Sequence, residues 1–519
     1  MKIRTMGTFI GGIFLASLFL THLIVPADTT AATPGVITKK IIVVMPTEPD
    51  TLDLNSSKMD GASAPIAENI TERLIGITPD GKLIPALAAS WKISPDGKEI
   101  VFALRKGVKF HNDDSFSAKD VKFSHERGLK TSATYQRSMR LLETFTVIDD
   151  YTVKFLFKKP DAQFLYSRGT PVESQAYHEK AGEEKFLREP VGTGPYKFVK
   201  WEPGQYIEVR ANETYWGEKP AVKEARFVFV KEDTTRVSML KAREADMILE
   251  CPFALVKEVE SAGYKTARLS THPSVSIQFH TYNPKVPWYD KRVRLAIAMA
   301  VDKKVMVQNL FQGIPTSPVR LNTWELGYDK DLKSYPYDPA GAKKLLAEVG
   351  YPNGFEMPLY YFSGRASGQK ETAEAVALYL NVIGIRAKVE GIEAIKFIEK
   401  VREWHKSTET VFVGVATAPT ANYPDPTGAL EISFYSGSPI SLYQNPKLDT
   451  VLEKARATLD DNKRGELIKE AFRIVQDDVP TAMLWANVCV YAMQKSVSFT
   501  PTVKATHAMV FLKDIKPAE

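Results

Sequence analysis

Residues 192–198 read GTGPYKF, and the tetrapeptide WEPG follows at 201–204. The two glycines and the proline suit a tight turn that enters a strand over 196–199, because glycine tolerates turn conformations and proline fixes one backbone angle. A further short apolar run at 207–209 (IEV) predicts another strand. This stretch therefore predicts β-structure punctuated by turns.

Strands and turns surround this stretch in the first half of the chain. The serine, proline, aspartate and glycine at 94–97 predict the turn of a hairpin. Spacing of apolar residues at i, i+4 and i+8 predicts a helix over 63–74. Short runs rich in β-branched and aromatic residues predict further strands, and these runs are Lys40–Met45, Glu99–Leu104, Tyr151–Phe157 and Arg226–Val230.

The second half is richer in helices. Asp290 and Asp302 are predicted to cap two successive helices, and Asp338 followed by Pro339 opens a third. A fourth helix over 369–383 is closed by Gly384, after which a strand returns. Because strands and helices alternate, the fold class is α/β with a β-rich portion early in the chain.

Composition and motifs exclude several classes of protein. The 519 residues suggest two to four domains, and the net charge of +6 is spread without a basic stripe, which argues against a nucleic-acid binder. The sequence has no HExxH, CxxC, GxSxG or GxxxxGK[ST] motif. It therefore gives no reason to expect a zinc site, a serine hydrolase, a P-loop NTPase or any other enzyme.

The N-terminus has the layout of a secretory signal peptide. Lys2 and Arg4 precede an apolar run over 10–25, and small residues suited to cleavage follow near 25–32. The run is shorter than the roughly 20 residues that span a bilayer, which disfavours the alternative of a membrane anchor. No cysteine lies near the cleavage region, so we expect export to the periplasm without a lipid anchor.

Two cysteines, Cys251 and Cys489, remain in the mature chain. An exported protein enters an oxidising space, where they can form one disulfide. The alternative is a pair of buried free thiols.

Several motifs, taken together and in order, resemble the family 5 solute-binding proteins, which are extracytoplasmic receptors of peptide and nickel ABC importers. The similarity extends over roughly residues 40 to 500. The segments that carry it are 50–53 (TLD after Asp50), 84–88 with Trp91, 96–98, 104–111, 118–123, 192–198, 201–204, Asn212 with 215–217, 293–297 with Asp302, and 422–426 (NYPDP).

The resemblance implies a two-lobed, type II periplasmic-binding-protein fold with an extra β-rich domain in the first lobe. Ligand would bind in the cleft, and the lobes would close over it. The chain would cross between lobes near 275–280 and 484–492. The expected organisation is a signal peptide over 1–32, a first lobe from 33–76, 190–275 and 490–519, an extra domain over 77–189, and a second lobe over 276–489.

The resemblance also implies where a ligand would bind. Peptide-binding members have an aspartate that pairs with the ligand ammonium at the position of Asn422. An amide brings no charge, which leaves room for a neutral or N-blocked ligand, unless Asp425 or another acid has taken over the charge. The other cleft candidates, chosen by position, are Met59, Asp60, Tyr135, Arg365, Arg402, Trp404, Tyr423 and Trp485.

Function follows from the resemblance with alternatives left open. The expected protein is a receptor that delivers a peptide or peptide-like solute to an ABC permease in the inner membrane, as a monomer and without a cofactor or nucleic acid. One alternative is a receptor for an oligosaccharide, an opine or a metal chelate. Others are a signalling protein or chaperone on the same fold, or a secreted hydrolase on a two-lobed scaffold.

Overall fold

The computed structural model describes residues 40–78, 81–167, 169–270, 275–314, 325–363, 368–393, 396, 399–401, 403, 413–417, 425–486, 488–501 and 509–517. The chain is an α/β protein with two lobes, each built on its own mixed sheet, and a smaller antiparallel domain that extends the first lobe.

The first lobe is built on a seven-stranded sheet. In chain order its strands are β1 (Lys40–Met45), β8 (Tyr196–Glu202), β9 (Tyr206–Ala211), β10 (Glu224–Phe229), β11 (Met247–Ile248), β12 (Lys265–Ser270) and β18 (Val488–Met493). They lie in the order β12-β18-β11-β1-β10-β9-β8, with β1 parallel to both β10 and β11. The helices of this lobe are α1 (Ala64–Ala67), α7 (Asp233–Lys241) and α8 (Phe253–Ser261), and β19 (Val497–Ser498) pairs with β20 (Lys516–Pro517) near the C-terminus.

The extra domain contains a four-stranded antiparallel sheet in the order β4-β5-β7-β6, where the strands are β4 (Ala88–Ile93), β5 (Glu99–Leu104), β6 (Leu142–Asp149) and β7 (Thr152–Phe157). A small pair, β2 (Ile75–Ile77) and β3 (Leu83–Pro85), precedes it. Phe155 packs edge-on against Phe102 with ring centroids 5.8 Å apart, and these rings form the centre of the core. The helices are α2 (Ala118–Thr131), α3 (Ala133–Ser138), α4 (Ala162–Tyr166), α5 (Gln175–Ala181) and α6 (Glu183–Arg188).

The second lobe is built on a five-stranded sheet in the order β15-β14-β16-β13-β17, where the strands are β13 (Val275–Phe279), β14 (Glu356–Ser363), β15 (Arg386–Glu393), β16 (Val413–Thr417) and β17 (Thr481–Trp485). Its helices are α9 (Lys291–Ala300), α10 (Lys303–Phe311), α11 (Pro339–Glu348), α12 (Gln369–Val382), α13 (Thr427–Phe434), α14 (Pro446–Ala457) and α15 (Asp461–Asp478). Short 3₁₀ turns occupy Pro287–Tyr289 here and Leu512–Asp514 in the first lobe.

The chain changes sheet twice. It leaves the first lobe after β12 and enters the second at β13, and it returns between β17 and β18. Separate hydrophobic cores fill the two lobes and the extra domain. The residue boundaries drawn between the domains from the sequence remain a prediction.

The glycines at 192 and 194 are required by a close approach of two backbone segments. A Cβ atom at Gly192 would lie 2.0 Å from the carbonyl oxygen of Ile70, and one at Gly194 would lie 2.6 Å from the same oxygen. The Gly194 N–H donates to the Ile70 carbonyl at 2.9 Å, and the Tyr196 N–H donates to the Asn69 carbonyl at 3.0 Å. These contacts fasten the GTGPYKF segment to the chain that leads into the extra domain.

The prediction of a helix over 63–74 is wrong for most of its length. Only Ala64–Ala67 is helical. Ile66 and Ile70 are buried in the core of the first lobe, whereas Leu74 is buried in the core of the extra domain. The i, i+4, i+8 spacing therefore arises from a segment that passes between two cores.

The signature motifs meet around the carboxylate of Glu72. Tyr215 Oη donates to Glu72 Oε1 at 2.7 Å, and both Trp216 Nε1 and Thr193 Oγ1 donate to Oε2 at 2.9 Å. Burial raises the pKa of Glu72, and these hydrogen bonds act against that rise. The motifs thus stabilise the fold at the junction of the first lobe and the extra domain.

The helix caps predicted in the second half are confirmed. The Asp290 side chain accepts from the Arg292 N–H at 2.8 Å, Asp302 from the Val305 N–H at 3.0 Å, and Asp338 from the Gly341 N–H at 2.8 Å. Each bond satisfies a backbone donor that the first turn of a helix leaves free.

Candidate functional site

Two sheet edges face each other where the chain crosses between the lobes. In the first lobe the parallel strands β1, β10 and β11 all end at the same edge of the sheet. Ser270, at the end of β12, pairs there with Val488, at the start of β18, so both crossings between the lobes connect to this edge. In the second lobe β14, β15 and β16 are parallel, and they end at the edge where Thr417 and Trp485 pair with Val275. Ligands of open α/β sheets bind outside the carboxyl ends of the strands. The space between these two edges is therefore the candidate site, here called the cleft.

Glu250 lies on the cleft edge of the first lobe, two residues beyond the end of β11. Its φ of 54° is in the left-handed region, which is uncommon for a residue with a side chain and which concentrates at functional sites. The side chain is exposed, yet partial burial by the surrounding protein raises the pKa of its carboxyl group, and the positive charge of Arg236 only partly offsets that rise. The Glu250 carboxylate is thus open to a ligand at this edge of the sheet.

Aromatic side chains pack at the base of the cleft, beside the crossings. Phe253 of the first lobe lies 5.8 Å from Phe311 of the second lobe between ring centroids, and Phe311 lies 5.0 Å from Trp485. Gln312 Nε2 also donates to the Ala254 carbonyl at 2.9 Å. These contacts join the two lobes close to Glu250.

Trp485 is fully buried, and its Nε1 donates to Thr372 Oγ1 at 3.4 Å. Trp485 is therefore a core side chain at the base of the cleft. It would have to become exposed before it could contact a ligand. Sequence position correctly brought it to the crossing, but could not indicate how deeply it is buried.

Met59 and Asp60 lie ahead of the short helix α1. Met59 is exposed, and the Asp60 carboxylate is already engaged: its Oδ1 accepts from Ser63 Oγ at 2.7 Å and from the Ser63 N–H at 2.8 Å. Asp60 thus orders the entry to α1. A role for either side chain in ligand binding remains a prediction.

Tyr135 lies in the core of the extra domain. It is 6% exposed, and its hydroxyl lies 2.8 Å from His125 Nδ1. Burial raises the pKa of Tyr135 above its ordinary value and lowers that of His125 to about 4. In this conformation Tyr135 packs within its own domain, so a covering role over a ligand would require a rearrangement.

The other five residues predicted for the cleft lie outside the described residues: Arg365, Arg402, Trp404, Asn422 and Tyr423. Their roles remain predictions. The last described residues of β14 and β16 are Ser363 and Thr417, both at the cleft edge of the second lobe.

Asp425, the alternative source of charge near Asn422, is not available to a ligand. It is fully buried, its Oδ2 accepts from Arg464 Nε at 2.8 Å, and its Oδ1 accepts from the Thr427 N–H at 2.8 Å. Arg464 in turn lies over the ring of Tyr166 from the extra domain, 5.3 Å from its centroid. Asp425 and Arg464 thus belong to a contact between the extra domain and the second lobe.

A buried ion cluster forms the centre of that contact, here called the ionic interface. Arg456 of α14 donates to Asp161 Oδ1 of the extra domain and to Glu431 Oε1 of α13, in both cases at 2.7 Å. Burial alone would raise the pKa of Glu431, but Arg456 and Arg140 hold it below its usual value. Burial raises the pKa of Asp161, although Arg456 acts against the rise. No motif or spacing predicted this cluster, because its members are far apart in the chain.

Cys251 and Cys489 are free thiols in the structure, and both are buried. Burial raises the pKa of Cys251 to about 12 and also raises that of Cys489. The structure therefore has the unpaired alternative rather than the disulfide. The two residues lie near each other, since the Cys251 N–H donates to the Val490 carbonyl at 2.7 Å.

Within the described ranges no group of three or more His, Cys, Asp or Glu side chains could hold a metal ion. Over the same part of the chain, no helix has the length and apolar character needed to cross a membrane.

Comparison with known proteins identifies the class. Residues 82–440 match the bacterial extracellular solute-binding proteins, family 5 Middle. The chain is 32% identical over 458 residues to Heme-binding protein A of Haemophilus influenzae, with 80% of each chain covered. It is 28% identical over 477 residues to the Dipeptide-binding protein of Escherichia coli, covering 84% of this chain and 86% of that protein.

A solved structure shows the same fold. The ABC transporter-associated periplasmic binding protein DppA from Helicobacter pylori, in complex with the peptide STSA, matches with a TM-score of 0.77 and 24% identity, over 92% of this chain and 98% of that chain. The protein belongs to the family 5 solute-binding proteins, which bind substrates for transport rather than convert them. Its fold is the two-lobed type II arrangement expected from the sequence.

Proposed function

We propose that this protein is the periplasmic receptor of an ABC importer, which captures a peptide or peptide-like solute in the cleft and delivers it to the membrane permease. The observation that carries the proposal is the pair of carboxyl sheet edges that face each other across two crossings. Family membership supports the same reading. Hinge closure of two lobes over a ligand is the established mode of switching for this architecture.

The peptide-like nature of the ligand rests on the relatives. Their names state a dipeptide for one and heme for another, and the Helicobacter pylori structure contains a tetrapeptide. A second candidate ligand class is an opine, because a solved relative 26% identical to this chain is described in complex with agropinic acid.

We further propose that the receptor is exported with cleavage near residue 28 or 33, acts as a monomer, and leaves its ligand chemically unchanged. N-terminal sequencing of the protein from a periplasmic fraction checks the cleavage. Retention of Met1 in the membrane pellet would contradict it.

Calorimetric unfolding with a panel of di- and tripeptides, their N-acetylated forms and opines tests the function. A solute at 100 times its dissociation constant should stabilise the receptor by about 2.7 kcal/mol. Mass spectrometry of the solute after prolonged incubation should show its original mass. No stabilisation by any member of the panel would contradict the ligand class, and a new product would contradict the receptor function.

A further inference from the structure

Acidic side chains at the cleft edge of the first lobe differ in whether the described part of the fold uses their charge. Glu48, three residues beyond β1, accepts from Trp201 Nε1 at 2.7 Å and from the Gly204 N–H at 3.0 Å. Asp233, beyond β10, pairs with Arg236 at 2.5 Å. Glu232 is exposed at the start of α7. For Glu250, the described part of the chain provides no hydrogen bond or ion pair to the carboxylate.

The surroundings of Glu250 make an unpaired charge costly. The Cys489 thiol lies against its backbone, and Cys251 follows it directly in the chain. Two residues further on is Phe253, which packs on Phe311 of the second lobe. The surrounding protein disfavours the charged form of the Glu250 carboxyl group, and the described residues provide no bond that would compensate for this. A cation brought by a ligand would supply that bond.

Arg236, the positive charge that acts on Glu250 among the described residues, does not fill this role. Arg236 Nη1 donates to the Val230 and Lys231 carbonyls at 2.9 and 2.7 Å, and its Nη2 donates to Asp233. The Arg236 guanidinium is therefore held by the loop after β10. Its positive charge acts to lower the pKa of Glu250 without a hydrogen bond to the carboxylate.

The backbone at Glu250 holds the side chain in this position. Its φ of 54° costs conformational energy for a residue with a Cβ, and such strain persists where the surrounding structure determines it. The Leu249 N–H donates to the Val44 carbonyl at 2.9 Å and the Cys251 N–H donates to the Val490 carbonyl at 2.7 Å, so the residues on both sides are fixed by neighbouring strands.

We propose that Glu250 is the anionic subsite of the cleft and binds a protonated amine of the solute. This inference rests on the proposed function and adds the substrate class: a solute with a free ammonium group. It also assigns to the first lobe the charge that the neutral Asn422 does not supply from the second lobe. A charge-assisted hydrogen bond of this kind is roughly twice as strong as a neutral one.

Titration calorimetry on wild type and Glu250→Gln tests the inference, with each peptide of the panel in its free and N-acetylated forms. Wild type should bind the free amine at least tenfold more tightly than the acetylated form. Glu250→Gln should lose at least tenfold in affinity for the free amine and less than twofold for the acetylated form. Glu244→Gln is the matched control, because Glu244 is exposed and precedes β11 at the opposite end of that strand.

The outcomes separate this inference from the proposed function. Equal affinity of wild type for both forms, or an equal change in both on Glu250→Gln, would overturn the role of Glu250 and leave the receptor function intact. If wild type binds no member of the panel, both the role of Glu250 and the proposed receptor function are overturned. Since Glu250→Gln preserves the shape of the side chain, unchanged thermal unfolding of the free variant to within a few degrees checks that it is folded.

Discussion

At both the ionic interface and the cleft edge at Glu250, the surrounding protein disfavours the charge of a carboxylate, but the two regions compensate for it differently. At the ionic interface, Asp161 and Glu431 are buried and share Arg456, whose own side chain is only 7% exposed. At the cleft edge, Glu250 is exposed and the described protein offers its carboxylate no partner. The carboxylates of the ionic interface are neutralised by a described arginine, whereas that of Glu250 has no described partner.

The difference indicates how stability and binding are divided in the molecule. The ionic interface joins the extra domain to the second lobe through residues almost 300 positions apart in sequence, as in the Tyr166 hydroxyl bonds to Asp461 at 3.2 Å. It therefore holds these two units together in the conformation described. At the cleft edge, by contrast, the described residues leave the charge of Glu250 for a ligand to satisfy.

The largest effect is expected from Arg456→Met. The substitution leaves Asp161 and Glu431 buried without their shared cation, and breaking a buried pair in this way costs about 3–5 kcal/mol. Denaturant unfolding measures the loss. Arg140→Met is the control, because Arg140 also contacts Glu431 at 2.9 Å but is 39% exposed, and exposed pairs contribute about 1 kcal/mol or less. Equal small losses in both variants would show that the interface is not a buried ion cluster.

The second-largest effect is expected from adding a carboxylate to the second lobe. Asn422→Asp places a carboxylate where the resemblance implies ammonium binding. We expect it to raise selectivity for free over N-acetylated peptides by about tenfold, or about 1.4 kcal/mol. In a Glu250→Gln background it should restore part of the lost affinity. Titration calorimetry of the two single variants and the double variant measures this, and no change in any of them would place Asn422 outside the site.

The smallest effect concerns the free receptor. Glu250→Gln should stabilise it at pH 7, by less than about 1 kcal/mol since the side chain is partly solvated. The pKa of Glu250 is raised in the folded protein, so its ionisation disfavours folding as the pH rises through that pKa. The gain should therefore disappear below about pH 4, where the carboxyl is protonated in both states. A destabilised variant at pH 7 would mean that Glu250 has a partner in the free protein.

Lowering the pH should weaken the ionic interface, whereas it removes the destabilising charge of Glu250. The pKa of Glu431 is lowered in the folded protein, so its contribution to stability is present above its ordinary value of 4.5 and is lost as the pH falls through the folded pKa. Wild type and Arg456→Met should therefore converge in stability as the pH falls below about 4. Denaturant unfolding at a series of pH values checks this, and a constant difference would contradict it.

Local sequence signals predicted much of the fold. Aspartate caps gave the starts of α9, α10 and α11, and β-branched runs gave β1 and β5 with their observed bounds. The family motifs gave the two-lobed architecture. The failed helix over 63–74 shows the limit of this reasoning, because apolar spacing does not reveal that successive residues enter different cores.

The site was less predictable for physical reasons. Trp485 and Tyr135 were placed near the cleft by position, but their burial depends on packing partners distant in sequence. Glu250 has no motif around it. Its importance comes from a left-handed backbone conformation and from a carboxylate without a described partner, and both appear only once β11 and its neighbours are assembled.

The most direct test of the account is a crystal structure of the receptor with a bound peptide that carries a free amine. The account predicts a peptide between the carboxyl edges of the two sheets, with its ammonium nitrogen about 3 Å from a Glu250 carboxylate oxygen. A peptide bound elsewhere, or one whose ammonium pairs with a different acid while Glu250 stays unbonded, would contradict it.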